Sequence, residues 1–113
     1  MTIQLNIIPE PKIKEIVLED ELTVHVPQFH VVLLDDNHHT YDYVIEMLMD
    51  LFGHSVDACY KMACEVDAKG RVVVFTTHKD RAELKRDQIL SFGKDWRMPE
   101  SAGSMSADVE PVD

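Results

Sequence analysis

The stretch 31-VVLLDDNHHTYDYVIEMLMDLFG-53 decides how the rest of this chain is read. Phe29–Leu34 is apolar apart from His30 and reads as a buried strand. Tyr41, Val44, Ile45, Leu48, Leu51 and Phe52 recur at helical spacing, so Thr40–Phe52 reads as a helix with one broad apolar face. Gly53 is placed to cap it. Between strand and helix lie Asp35, Asp36, Asn37, His38 and His39. Chargeable groups thus gather at a strand-to-helix junction, where side chains and free backbone N–H groups can converge on a ligand.

The charge around this junction is one-sided. No Lys or Arg occurs from Glu15 to Tyr60, while Glu15, Glu19, Asp20, Glu21, Asp35, Asp36, Asp42, Glu46, Asp50 and Asp57 do. A ligand of this region is expected to be cationic. The whole chain has a formal net charge of −10, which argues against nucleic acid, because phosphate contacts need clustered Lys and Arg. At 113 residues and 45% hydrophobic composition, one small core is expected. Its apolar runs are far short of a membrane span, and no secretion signal opens the chain. Cys59 and Cys64 lack metal or redox spacing, and a reducing cytoplasm is the simplest setting.

Working outward, Ser55 is a plausible cap for a second helix burying Val56, Cys59, Met62, Ala63 and Val66, and Gly70 ends it. Arg71–Thr76 reads as a second strand. Thr77 and Asp80 fit the start of a third helix, largely exposed, running to about Phe92 with Gly93 as its cap. The alternation over Ser104–Glu110 suggests a last, half-exposed strand. Residues 1–27, marked by Pro9, Pro11 and Pro27, read as an N-terminal extension with β-like runs at Ile3–Ile8 and Leu22–Val26. Residues 28–113 then form the compact domain, of order β-α-α-β-α-β. With so few strands, a two-layer α/β sandwich is the economical packing.

Three constellations could carry chemistry. The Asp35–His39 turn could bind a metal, form an acid–base pair or hold an ammonium group; it could equally be a solvated acidic turn that caps the helix. Asp67 sits at the negative end of the second helix and calls for a nearby cation, from Lys69, Arg71 or a ligand; an exposed acid beside Lys69 is the plainer outcome. Lys79, Arg81, Lys85, Arg86, Lys94 and Arg97 alternate with Asp80, Glu83, Asp87 and Asp95, as on a solvated face, yet they divide the chain electrically and suggest two binding faces. Catalysis finds little support: the chain has no nucleophile elbow, phosphate loop or HExxH, and the two thiols are placed on a buried face.

Over roughly Gln28–Glu110 these residues resemble ClpS, the adaptor that delivers N-degron substrates to the AAA+ unfoldase of the Clp protease. The family reads V-V-L-x-N-D-D-x-T-x-x-x-V-V-x-x-L where this chain has 31-VVLLDDNHHTYDYVIEML-48. Two further segments, 65-EVDAKGRVVVFT-76 and 82-AELKRDQI-89, match its patterns in part. The resemblance implies an α+β fold with a small antiparallel sheet, shared with the ribosomal stalk protein C-terminal domain. It implies a non-enzymatic role, with no cofactor or metal, and a partner of ClpA- or ClpC-like type. It also implies a pocket for a substrate's free, bulky hydrophobic N-terminal residue. Carried over, the pocket comprises Asp35, Asp36, Asn37, His39, Tyr41, Val44, Ala63, Val66 and Asp67. Asp67 stands where the family has an ammonium-binding His, and Tyr41 and Ala63 where it has Met. A basic first residue is a further option with this many acids. Asp80 and Lys85 fall at the unfoldase contact. The alternative is a diverged ClpS-like module that regulates the unfoldase without N-degron binding. A small metal-dependent enzyme using Asp35, Asp36, His38, His39 and Asp67 is the reading from another class.

Overall fold

The computed structural model describes residues 15–17 and 23–113. Its elements are β1 (Glu15–Val17), β2 (Thr23–His25), β3 (Gln28–Leu34), α1 (Tyr41–Phe52), α2 (Val56–Lys69), β4 (Arg71–His78), α3 (Lys79–Leu90) and β5 (Ser106–Pro111). β1 and β2 pair as an antiparallel ribbon. β2 lies within the Leu22–Val26 run expected to be extended, whereas the Ile3–Ile8 run lies outside the described residues. From β3 onward the order is the β-α-α-β-α-β expected from the sequence.

β3 is the middle strand of an antiparallel sheet ordered β4-β3-β5, with a bulge between Val31 and Val32 on the β4 side. The alternation of β4 turns Val72 and Val74 inward and leaves Arg71 and Val73 outside. Val72 and Val74 join Val31 and Leu33 of β3, Ala107 of β5, and helix residues including Met47, Leu48, Cys59, Ala63, Val66 and Ile89 in one core. Each fully buried large side chain, such as Leu33, Leu48 or Ile89, contributes about 1.5–3 kcal/mol. That core is the seam of the two-layer α+β sandwich.

The second helix starts at its expected cap, Ser55, whereas the first is capped by Thr40 and not by an Asp or Asn of the acid turn. Thr40 caps α1 by accepting Tyr43 N–H at 3.1 Å, and Ser55 caps α2 by accepting Ala58 N–H at 3.1 Å. Gly53 (φ 72°) and Gly70 (φ 85°) end them in the left-handed conformation that glycine adopts without strain. The third helix departs from expectation at both ends. Its N-cap is His78, because β-branched Thr77 is drawn into the sheet opposite Phe29 as the last inward residue of β4. It stops at Leu90 with Ser91 as cap, not at Gly93. Phe92 leaves the helix to meet the Tyr43 ring edge-on at 5.6 Å, and Gly93 makes the turn that follows.

The apolar face of α1 is also rotated from the expected one. Tyr43 and Met47 are buried with Val44 and Leu48, while Tyr41 is exposed. The Tyr43 hydroxyl donates to the Gly93 carbonyl, which pins that side of the helix inward. On α2, Val56 is exposed and Cys64 only half-buried, so one of the two thiols lies outside the core.

Candidate functional site

The acid turn is built from short local bonds. Asp35 N–H donates to the Gly70 carbonyl at 3.0 Å, which ties the end of β3 to the end of α2. Asp35 Oδ1 accepts Asn37 N–H at 3.2 Å, and Asp36 Oδ1 accepts His38 N–H at 3.0 Å. Asn37 takes φ 62°, a left-handed conformation that Asn tolerates better than most residues.

His39 is turned inward, its side chain only 3% exposed. Nδ1 meets Asp36 Oδ1 at 2.9 Å, and Nε2 meets the Gly103 carbonyl at 2.8 Å. The ring thus bridges the acid turn to the chain at residue 103. The Tyr43 ring covers it at 4.5 Å. Ser101 Oγ lies 3.3 Å from Nε2, which completes the connectivity of a Ser-His-Asp triad. Ser101 is itself only 3% exposed, however, and its Oγ accepts Asp95 N–H at 2.9 Å. The serine is a strut inside the fold, not a nucleophile open to substrate.

Asp95 is the residue that sequence reasoning missed. Its alternation with Lys94 and Arg97 suggests a solvated charge, yet it is fully buried. Oδ2 accepts Thr40 N–H at 2.7 Å and the Thr40 hydroxyl at 2.8 Å, and Oδ1 accepts Arg97 N–H at 3.0 Å and the guanidinium at 3.2 Å. Burial alone would raise its pKa, but these donors hold the carboxyl below the usual carboxylate range. Arg97 also pairs with Glu46 of α1. That cation therefore crosses the electrical divide between acidic and basic faces. The one cue in the sequence is 95-DWRMP-99, an Asp followed by a Pro, which marks a turn but not its distant partner.

Asp67 has neither Lys69 nor Arg71 as its partner. The Tyr41 hydroxyl donates to Asp67 Oδ2 at 2.7 Å, and Arg71 pairs with Glu110 on the neighbouring strand. Tyr41 is 38% exposed, and its pKa is pushed up to about 12, chiefly because that hydrogen bond to Asp67 would be lost on ionisation. Of the other expected pocket residues, Val44, Ala63 and Val66 are buried members of the core. The structure thus links Asp35 to the end of α2, Asp36 to His39 and Tyr41 to Asp67. Asn37 points out to solvent.

Asp80 is exposed in the first turn of α3. Lys85 is committed elsewhere: Nζ donates to the Leu51 carbonyl at 2.6 Å and lies 5.4 Å from the centre of the Phe52 ring. A cation there favours the negative C-terminal end of α1. Burial, with Arg81 nearby, lowers the Lys85 pKa. Among the described residues, no group of three or more His, Cys, Asp or Glu is placed to hold a metal ion, and no helix is long and apolar enough to cross a membrane.

Comparison with known proteins gives a consistent answer. The adapter protein ClpS of Wolinella succinogenes is 34% identical over 83 residues, 73% of this chain and 81% of the relative. That of Thermosynechococcus vestitus is 27% identical over 70 residues, 61% of this chain and 74% of the relative. Agrobacterium tumefaciens ClpS2 bound to L-phenylalaninamide superposes with a TM-score of 0.64 at 25% identity, covering 75% of this chain and 96% of that one. The family model for ATP-dependent Clp protease adaptor protein ClpS matches residues 24–99. This chain belongs to the ClpS family of Clp protease adaptors.

Proposed function

We propose that this chain binds the free N-terminal residue of N-degron proteins and delivers them to a ClpA- or ClpC-like AAA+ unfoldase in the cytoplasm. One observation carries the reading. Asp35 and Asp36 each spend one oxygen, and Asp67 spends one on Tyr41, while the other oxygen of each has no hydrogen bond to the described residues. Three half-used carboxylates suit an α-ammonium, which has three N–H groups to give. L-phenylalaninamide, the ligand of the Agrobacterium relative, presents such an amino group beside an aromatic side chain. In this reading Asp35, Asp36 and Asp67 hold the ammonium. Asn37 and His39 shape the turn, while Tyr41, Val44, Ala63 and Val66 take the side chain. Asp80 offers an exposed contact for the unfoldase. Lys85 can join it only by exchanging its bond to Leu51.

A second reading is a ClpS-like module that regulates the unfoldase without N-terminal recognition. The Tyr41–Asp67 bond favours it, since the chain's own hydroxyl already occupies one acid of the site. Fluorescence anisotropy with peptides differing only at residue one, each free and acetylated, separates the two. Binding of a subset that is abolished by acetylation supports the adaptor. Unfoldase docking without any such selectivity supports the second reading.

A further inference from the structure

We infer that Tyr41, Tyr60 and Asp67 form a second subsite that takes a cationic side chain, Arg or Lys, from the residues just after a substrate's first one. The inference rests on the pocket reading above and extends it along the peptide. Tyr60, Cys64 and Asp67 fall at i, i+4 and i+7, one stripe of α2, and this stripe faces Tyr41 at the start of α1. The two phenol rings are 6.0 Å apart between centroids and inclined by 57°. Tyr60 is 52% exposed and Tyr41 38%. Large aromatic surface is thus left in water on a helix that has a core in which to bury such rings.

The patch has the composition of a cation site. Two electron-rich ring faces attract a guanidinium or ammonium, and a carboxylate beside them supplies a directed acceptor. Asp67 Oδ2 is used by Tyr41, which leaves both lone pairs of Oδ1 without a hydrogen bond to the described residues, one for the ammonium and one for the neighbouring side chain. No ion pair joins Asp67 to a Lys or Arg among them. The Tyr41 hydroxyl donates its proton to that acid, which adds electron density to its ring. Cys64, on the same stripe between Tyr60 and Asp67, adds no positive charge. The patch is continuous with the pocket, because Tyr41 and Asp67 belong to both. A peptide leaving the pocket advances at most ~3.3–3.6 Å per residue, so its next side chains are the ones presented to the rings.

The test uses two peptides of equal length and net charge, both starting with a free Phe. One carries Arg at residues two and three and citrulline near its far end; the other exchanges them. Equal charge removes general attraction to an acidic protein, and citrulline keeps the shape of Arg without its charge. Anisotropy titration should show about three- to tenfold tighter binding when Arg follows Phe, as expected for a cation–π contact joined by an exposed ion pair. Tyr60→Leu, at an exposed position, should reduce that ratio below twofold. Equal affinities in the unsubstituted protein overturn the subsite, as does a ratio that survives Tyr60→Leu. If the two affinities are equal but still abolished by acetylation, the pocket stands and the subsite falls. If neither peptide binds, both fall together.

Discussion

Thr40 and Tyr41 are neighbours in sequence, and each gives a hydroxyl proton to a distant aspartate, yet the two aspartates live in opposite conditions. Asp95 is fully buried and receives four hydrogen bonds, from Thr40 and Arg97. Asp67 is exposed and receives one, from Tyr41. A buried carboxylate with every lone pair engaged can only be scaffold, because any change leaves donors stranded away from water. An exposed carboxylate with one oxygen spent keeps capacity for something else. The contrast separates the part of the acid turn that holds shape from the part that can recognise a ligand.

Removing the buried acid should have the largest effect. Asp95→Ala strands the Thr40 N–H and the Arg97 guanidinium together and should cost about 3–5 kcal/mol, read as a lower urea midpoint. The same acid sets a pH dependence. Its folded pKa lies below the ordinary 3.8, so its contribution is full above that value and is lost as pH falls through the depressed one. Thermal melts from pH 6 to pH 2 should therefore show a steeper acid loss in the unsubstituted protein than in Asp95→Asn.

Asp67→Asn should do the reverse. Folding stability should change by less than about 0.5 kcal/mol, as for a surface site, while affinity for a free N-terminal peptide should fall at least about tenfold through loss of a charged acceptor. A large loss of stability with unchanged affinity would erase the distinction between the two acids. Thr40→Ala should be intermediate, costing about 1 kcal/mol through the helix cap, with the urea midpoint again as the readout. The smallest effect is spectroscopic. An absorbance titration should find one tyrosine ionising at about 12, and in Asp67→Asn that step should move down toward the ordinary value of 10.

The elements were legible wherever local chemistry decides them. Ser55, Gly53 and Gly70 announce their helix ends because capping is a matter of a few adjacent atoms. The two-residue period of β4 and the central, doubly apolar β3 are readable for the same reason. Thr77 suits a helix cap and a strand alike, and only the pairing with Phe29 decides between them. The rotation of α1 toward Tyr43 depends on a carbonyl at Gly93, fifty residues away. Asp36 and Asp67 could be singled out as chargeable groups in unusual places. Asp36 meets His39 three residues on, whereas the Tyr41 partner of Asp67 follows from side-chain reach between two helices. For Asp95 the sequence marks a turn but not the burial, since an acid between Lys94 and Trp96 looks like any surface charge.

The place of β3 in the sheet bears on how the molecule is born. Its two neighbours are β4 and β5, and the second of these pairs residues 29–34 with residues 106–111. The turn that follows β3 is braced by Asp95, Ser101 and Gly103 from that same late stretch. During synthesis, the first forty residues emerge long before the segments that complete their sheet and fasten their acid turn. Contacts of such sequence separation form late and slowly. A chain ending at residue 90 would thus have Val31, Val32 and Leu33 paired with β4 alone, with the other edge open and the acid turn unbraced. The molecule becomes competent only once residues 95–111 have cleared the ribosome, so no half-made copy holds the finished turn.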